Sequence, residues 1–294
     1  MRSRSSFLPR VAVTAAFALA IAALSAVGCT GKSSSQPNAK SPETQSDAEY
    51  DLARDLFQKG KPREALDHAR KAAELNEDND KAHYMVAVVL ISFCQTNRGL
   101  EAPDCKLADV EKAARAALKA NPQFRDATNM LGTVLINEKK YKDAITVLEP
   151  LTKDAAYVNP YFAWGNLGWA QLEDGQIDAS ITSLKNAVGT EPRFCVGHYR
   201  LGLALEKKGD LAGAEQSLSS AVTADPACAD LQDAWEARGR VRTKQNKLPD
   251  ARQDYARCIE ISKETAAGKR CAAEMAKISD ATPIAVNPNY ARKT

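Results

Sequence analysis

Trp164-Gly165-Asn166-Leu167-Gly168 through Glu191-Pro192 is followed by His198-Tyr199-Arg200-Leu201-Gly202 through Asp225-Pro226, and Gly168 to Gly202 and Pro192 to Pro226 are both 34 residues apart. Each copy carries Leu-Gly in one amphipathic run, small residues in a second, and proline at the exit. A period of this size is a helix, a turn and a returning helix, which cannot bury its apolar face alone, so copies must stack. Outward from this pair the small residue recurs as Ala53, Ala87, Gly132 and Gly239, where it lets two helices approach. Ala65, Ala144, Ala214 and Ala251 answer from the second helix, with Val110 and Ser180 as variants. Gly60, Gly175 and Gly209 fall in the turn between the helices, where a left-handed residue is inexpensive.

These anchors define six units, beginning near Ser46, Asp80, Arg125, Tyr161, Cys195 and Gln232, with strides of 34, 45, 36, 34 and 37. The long stride places an insertion of eleven residues between the two helices of the second unit, around residues 95–104. After the sixth unit, Cys271, Met275 and Ile278 stand at i, i+4 and i+7, the stripe of a helix that caps a stack. Pro283 stops it, leaving a tail over 283–294. The unit resembles the tetratricopeptide repeat, which implies an all-α chain: an α-solenoid of about six helix-turn-helix repeats over residues 46–265 with a C-terminal capping helix over 266–282.

Composition excludes several classes. The 294 residues are 44% hydrophobic and 26% charged, ordinary material for a folded body. Lys plus Arg at 40 against Asp plus Glu at 37 gives a net charge of +3. Removal of a head segment carrying Arg2, Arg4 and Arg10 leaves acids and bases equal. Nucleic-acid binding needs an excess of phosphate-neutralising side chains, so none is expected. With only His68, His83 and His198, and no C-x-x-C, neither a metal site nor any other cofactor is expected. Cys195 with His198 as base has no third group to orient it and no oxyanion donors. Ala26 to Ser33 fits a loose phosphate-loop pattern, yet no strand precedes it. Neither catalysis nor a small-molecule substrate is indicated.

Arg2, Arg4 and Arg10 precede an uncharged run from Val11 to Val27, closed by small residues and Cys29. This is the layout of a secretory signal, and with Gly28 before Cys29 it resembles a bacterial lipoprotein signal, with Ala26 where leucine is usual. The resemblance implies cleavage after residue 28 and acylation of Cys29, giving a membrane anchor that faces the periplasm. Thr30 after the cysteine points to the outer membrane. Residues 29–45 are poor in apolar side chains and form a tether, about 20 to 25 Å end to end for sixteen such residues.

The six other cysteines suit an oxidising compartment and allow fifteen pairings. The repeat geometry favours three of them. Cys94 and Cys105 bracket the insertion, Cys195 and Cys228 lie at the two ends of one hairpin that fold together, and Cys258 and Cys271 join the last repeat to the cap.

In a curved stack the first helices line the inside, through the second, fifth, ninth and twelfth places of each unit. Those places hold Tyr50, Tyr84, Val88, Phe162, Trp169, Leu172, Tyr199 and Leu203, with Asn129 and Thr133 between. An apolar, aromatic groove of this kind suits an amphipathic helix or extended segment of a protein partner. The Lys and Asn pattern that clamps a terminal carboxylate in some repeat proteins is missing. Arg238, Arg240, Arg242, Lys244 and Lys247 make the last unit basic, a surface for lipid phosphates or an acidic partner unless it is only solvated.

The run Pro160-Tyr161-Phe162-Ala163-Trp164-Gly165-Asn166-Leu167-Gly168-Trp169-Ala170, then Pro192-Arg193-Phe194-Cys195-Val196-Gly197-His198-Tyr199, resembles the type IV pilus pilotin lipoproteins. That family's six repeats, lipid anchor and cysteine pair about one repeat apart are matched here. The resemblance implies an outer-membrane lipoprotein that binds the pilus secretin and promotes its localisation and multimer assembly, supporting pilus-dependent motility. The alternative is an envelope adaptor for peptidoglycan hydrolases or for outer-membrane protein assembly. The insertion, the Cys258 and Cys271 pair and the tail depart from the family pattern.

Overall fold

The structure, a computed structural model, describes residues 41–95 and 99–281; Cys29, the signal segment, most of the tether and the tail after Pro283 lie outside the described residues. Thirteen α-helices are described, and no strand is among them. They pair as antiparallel hairpins: α1 (Pro42–Gln58) with α2 (Pro62–Leu75), α3 (Asp80–Ser92) with α4 (Leu107–Ala120), and α5 (Arg125–Asn137) with α6 (Tyr141–Thr152). The later hairpins are α7 (Pro160–Glu173) with α8 (Ile177–Thr190), α9 (Cys195–Lys208) with α10 (Leu211–Thr223), and α11 (Gln232–Lys244) with α12 (Leu248–Ile261). A last helix, α13 (Ala266–Ala281), packs on α12 and closes the stack.

Helix α1 begins at Pro42, inside the stretch expected to be tether up to residue 45. The reason is a start signal stronger than local polarity. Ser41 Oγ accepts a hydrogen bond from the Thr44 N–H at 3.3 Å, proline takes the first helical position and Glu43 the first turn. Between α3 and α4 the insertion folds into two 3-10 turns, Phe93–Gln95 and Gly99–Glu101, and a Cys94–Cys105 disulfide closes it.

Four of the six hairpins are held by a large side chain from the second helix seated over a residue with no side chain in the first. Leu148 sits over Gly132, Leu184 over Gly168, Leu218 over Gly202 and Tyr255 over Gly239. All four large residues are buried, so the notch brings two backbones together and removes an apolar side chain from water in one contact. The turn that follows needs a left-handed residue. Gly60, Gly175 and Gly209 supply it with φ of 73°, 84° and 90°, and Lys139 and Asn246 take the same place in their units at 61° and 59°.

Hairpins join by a repeated device. Asn76, Asn121 and Glu191 end a second helix in extended conformation, and their side-chain oxygens accept the N–H two residues on. Phe194 then packs its ring against Gly165 and Gly197, which tethers α9 to α7. First helices of successive units pack side by side, α1 with α3, α5 with α7, α7 with α9 and α9 with α11. No pair of second helices packs comparably among the described residues, so the array curves with its first helices on the inner face. Two large buried clusters, one spanning α1 to α7 and one α7 to α11, meet at Trp169.

Charged bridges add to this between neighbouring units. Glu111 on α4 accepts from Lys140 at the start of α6 at 2.8 Å and from Arg115 on its own helix. The Lys140 bond, reinforced by Arg115, pushes the Glu111 carboxyl from 4.5 down to about 2. A carboxyl depressed in the folded state stabilises above its ordinary value and loses that contribution as pH falls from about 4.5 towards 2.

Two outcomes follow. Gly202→Val would put a Cβ 2.5 Å from Leu218 Cγ and 3.3 Å from the Ala214 carbonyl oxygen. It is expected to cost about 1–3 kcal/mol, read as a lower urea midpoint. Glu111→Gln is expected to shrink the loss of thermal stability between about pH 5 and about pH 2.5, measured by circular dichroism melting. An equal loss in both proteins would contradict the bridge.

Candidate binding groove

The inner face divides into three zones. In the first, the Tyr84 ring lies 4.8 Å from that of Phe124, and Tyr50 packs against the core with the Arg54 guanidinium 5.8 Å above its ring. Val88 is half-buried beside them. Burial first, and then the charge of Asp126, pushes the Tyr84 hydroxyl up to about 12, so it stays a neutral donor at any physiological pH.

In the third zone Phe162 is 39% exposed, its ring 4.2 Å from Tyr161 and 5.7 Å edge-on from Phe194. Val158 and Val196 extend this patch, at 87% and 36% exposure. Neither was among the groove residues read from sequence. Val196 holds the same place in its unit as Phe162, so the periodicity contains it; Val158 lies in an interhelical loop that no helical register predicts. Tyr199 and Leu203 are half-buried on α9, and burial lifts the Tyr199 hydroxyl to about 12. Leu172, one turn on from Trp169 and on the same helix face, is only 4% exposed and packs in the core while its edge lines the pocket beside Trp169.

A polar zone separates the two. Asn166 Nδ2 donates to Asn129 Oδ1 at 3.0 Å and to Thr133 Oγ1 at 3.1 Å. Arg200 Nη1 donates to Asn166 Oδ1 at 2.9 Å and to the Gly165 carbonyl at 3.1 Å. Its guanidinium carbon lies 5.5 Å from the centroid of Trp169. Burial lowers the pKa of Arg200 to about 10, which leaves it fully charged at neutral pH. The polar places that the sequence set at Asn129 and Thr133 thus extend through Asn166 to Arg200. Arg200 follows Tyr199 directly, one place off the lining register, and was missed because the reading tracked apolar side chains.

Beside Trp169 lies an open pocket of about 340 Å³ lined by Trp169, Leu172, Leu203, Glu206, Arg240 and Lys244. A larger cleft of about 530 Å³ opens between α2 and α4, with Val86, Leu90 and Ala113 at its floor and charges of both signs at its rim. It holds no Phe, Tyr or Trp and its rim is charged, so the inner face remains the better candidate for a polypeptide. Among the described residues no cluster of side chains fits a metal ion. Cys195 is bonded to Cys228, which removes the thiolate from the Cys195 and His198 pairing.

A family model of the tetratricopeptide repeat matches residues 50–92, 106–156 and 166–227, together more than half the chain. The chain belongs to the tetratricopeptide repeat family. Among solved structures, this tetratricopeptide repeat protein is similar to PilF of Pseudomonas aeruginosa at 17% identity and a TM-score of 0.61, covering 80% of this chain and 100% of that one. It is similar to PilW, described as a widely conserved type IV pilus biogenesis factor, at 16% identity and a TM-score of 0.64, covering 76% and 97%. A tetratricopeptide repeat protein of Parabacteroides merdae reaches 0.58 at 16% identity, covering 80% and 84%. At these identities the likeness is one of fold. No curated protein matches the chain in sequence.

The basic run of the last tetratricopeptide repeat is not a free cationic surface. Arg238 lies against Asp254 at 2.7 Å with both side chains buried, and Arg242 reaches the same carboxylate at 2.9 Å. Arg240 and Lys244 bond Glu206 on the preceding unit, and Arg242 and Lys247 bond Glu215 there. These are structural bridges between the fifth and sixth repeats. The disulfides Cys195–Cys228 and Cys258–Cys271 staple the same half of the array.

Removing Asp254 leaves two guanidinium groups facing a buried gap. Asp254→Ala is expected to cost about 3–5 kcal/mol. The loss should appear as faster amide hydrogen exchange across α11 to α13, with α1 to α6 unaffected.

Proposed function

We propose that this protein is an outer-membrane lipoprotein, anchored through acylated Cys29 and facing the periplasm, that binds the type IV pilus secretin through the inner face of its repeats. It acts without chemistry, promoting outer-membrane localisation and multimer assembly of the secretin and so pilus biogenesis and pilus-dependent motility. The observation that carries this reading is the exposed apolar group of Phe162, Val158 and Val196, with the Phe162 ring against Tyr161 and Phe194, in a fold shared with PilF and PilW. The repeats display such a face to one side, and apolar anchors with satisfied polar neighbours are what a polypeptide ligand needs. The lipoprotein-type signal and the tether that follows would hold this face just off a membrane.

The test is genetic and biochemical. Deletion of the gene is expected to abolish the heat-resistant secretin multimer in unheated membrane extracts, and wild-type protein should restore it. Phe162→Glu should fail to restore it while leaving the melting temperature within a few degrees, because the side chain is exposed. Cys29→Ser should block palmitate incorporation and release the protein from the membrane. A secretin multimer that persists unchanged in the deletion strain would refute the assignment.

A further inference from the structure

We propose that the groove recognises an acidic side chain, an Asp or Glu of the bound segment, through Arg200. This rests on the reading of the inner face as a polypeptide-binding surface and names the chemistry of what it takes. Among the described residues Arg200 has no carboxylate within ion-pair distance, whereas Arg238, Arg240, Arg242 and Arg270 in the same half each have one. Its Nη1 is held by Asn166 Oδ1 and the Gly165 carbonyl, both neutral acceptors. Nε and Nη2 donate to no other described residue and are not sealed off from solvent. That edge of the guanidinium is the one that pairs side-on with a carboxylate.

The support behind it is built rather than incidental. Asn166 is itself 8% exposed and is fixed by Asn129 and Thr133, so the acceptor that orients Arg200 cannot turn away. The Trp169 face backs the guanidinium. A partly buried cation gains little for the fold without a counter-ion, since an apolar side chain of similar length would pack there at less cost. A counter-ion arriving with the ligand resolves this. Along α7 and α9 Arg200 falls between exposed Phe162 and Val196 near the helix starts and the open pocket lined by Trp169 and Leu203 towards their ends. A chain lying along this face passes through, so the carboxylate belongs to a side chain inside the segment and not to a chain end.

Random dodecapeptides displayed on phage would be selected on the folded protein, and the strongest sequence synthesised with an amidated C-terminus, alongside its Glu→Gln or Asp→Asn form. Both peptides would be titrated into wild type and Arg200→Gln, following tryptophan fluorescence and calorimetry. The expected selection is one acidic residue flanked by apolar ones. Neutralising it should weaken binding to wild type by about tenfold or more, and to Arg200→Gln by less than about twofold. Arg200→Lys, which keeps the charge without the fork, should fall between and serves in the same cycle if Arg200→Gln melts early. Selection of no peptide, selection without an acidic residue, or equal weakening in both proteins overturns the proposal. Acid-dependent binding in a protein whose deletion leaves the secretin multimer intact would keep Arg200 in this role and remove the secretin as partner.

Discussion

The seating of Leu184 over Gly168 and of Leu218 over Gly202 sets the distance between the two helices of a hairpin, and the other dimensions of the array follow from it. With the helices of a unit this close, their outer flanks come near enough for the next unit to bury the remaining stripe. Leu167, Leu201 and Val241 on first helices and Ala187 and Ala221 on second helices are all at most 6% exposed. The inner face is what is left after these demands are met. Phe162 is left 39% exposed there, and Trp169, Tyr199 and Leu203 are half-buried against the core, because glycine, alanine and leucine at other places on the same helices carry most of the packing.

The two halves of the stack use different means to stay together. In and between the first two units the stitching is mainly side-chain hydrogen bonds, Ser46 Oγ to the Ala72 carbonyl at 2.7 Å, Asn79 Nδ2 to Ser46 Oγ at 2.9 Å and Asn121 Nδ2 to the Asp80 carboxylate at 2.7 Å, and an exposed ion pair, Arg63 to Asp104, adds to it. Between the fifth and sixth units it is ionic, with Glu206 and Glu215 each shared by two cations. A carboxylate shared in this way is held in place by its second partner before the first bond forms, so each bridge costs less side-chain entropy than an isolated surface pair. The cost is that a group such as Asp254, once buried between Arg238 and Arg242, has no tolerated neutral substitute.

The fold was legible because its determinants are local and periodic. Gly168 and Gly202, Pro192 and Pro226, and the turn glycines each report a backbone requirement that recurs every 34 residues, and recurrence separates such a requirement from chance. The start of α1 was not legible at the same level, since Ser41-Pro42-Glu43 is a single cap seen against a polar background. The groove was legible only in outline. A helical register says which residues face inward, not how far a neighbouring helix will cover each, and so it gave no sign that Leu172 is nearly covered while Trp169 stays half-buried. It is also blind to charge pairing across units. Arg240 and Arg200 each bond the residue 34 positions earlier, yet for one this is the Glu206 carboxylate and for the other the neutral Asn166 amide.

That difference bears on how a scaffold of stacked hairpins acquires specificity. Apolar side chains on the inner face supply attraction that depends mainly on area, and many amphipathic segments would satisfy Phe162 and Trp169 alike. A charged group held rigidly among neutral acceptors discriminates in the opposite sense, by penalising every segment that brings no partner for it. Asn166 makes that penalty effective. Its amide is committed to Asn129 and Thr133, so its oxygen stays with Arg200 and the guanidinium edge stays aimed at the groove. The same three helices that build the aromatic patch, α5, α7 and α9, thus also fix the polar element, and attraction and discrimination lie on one continuous surface.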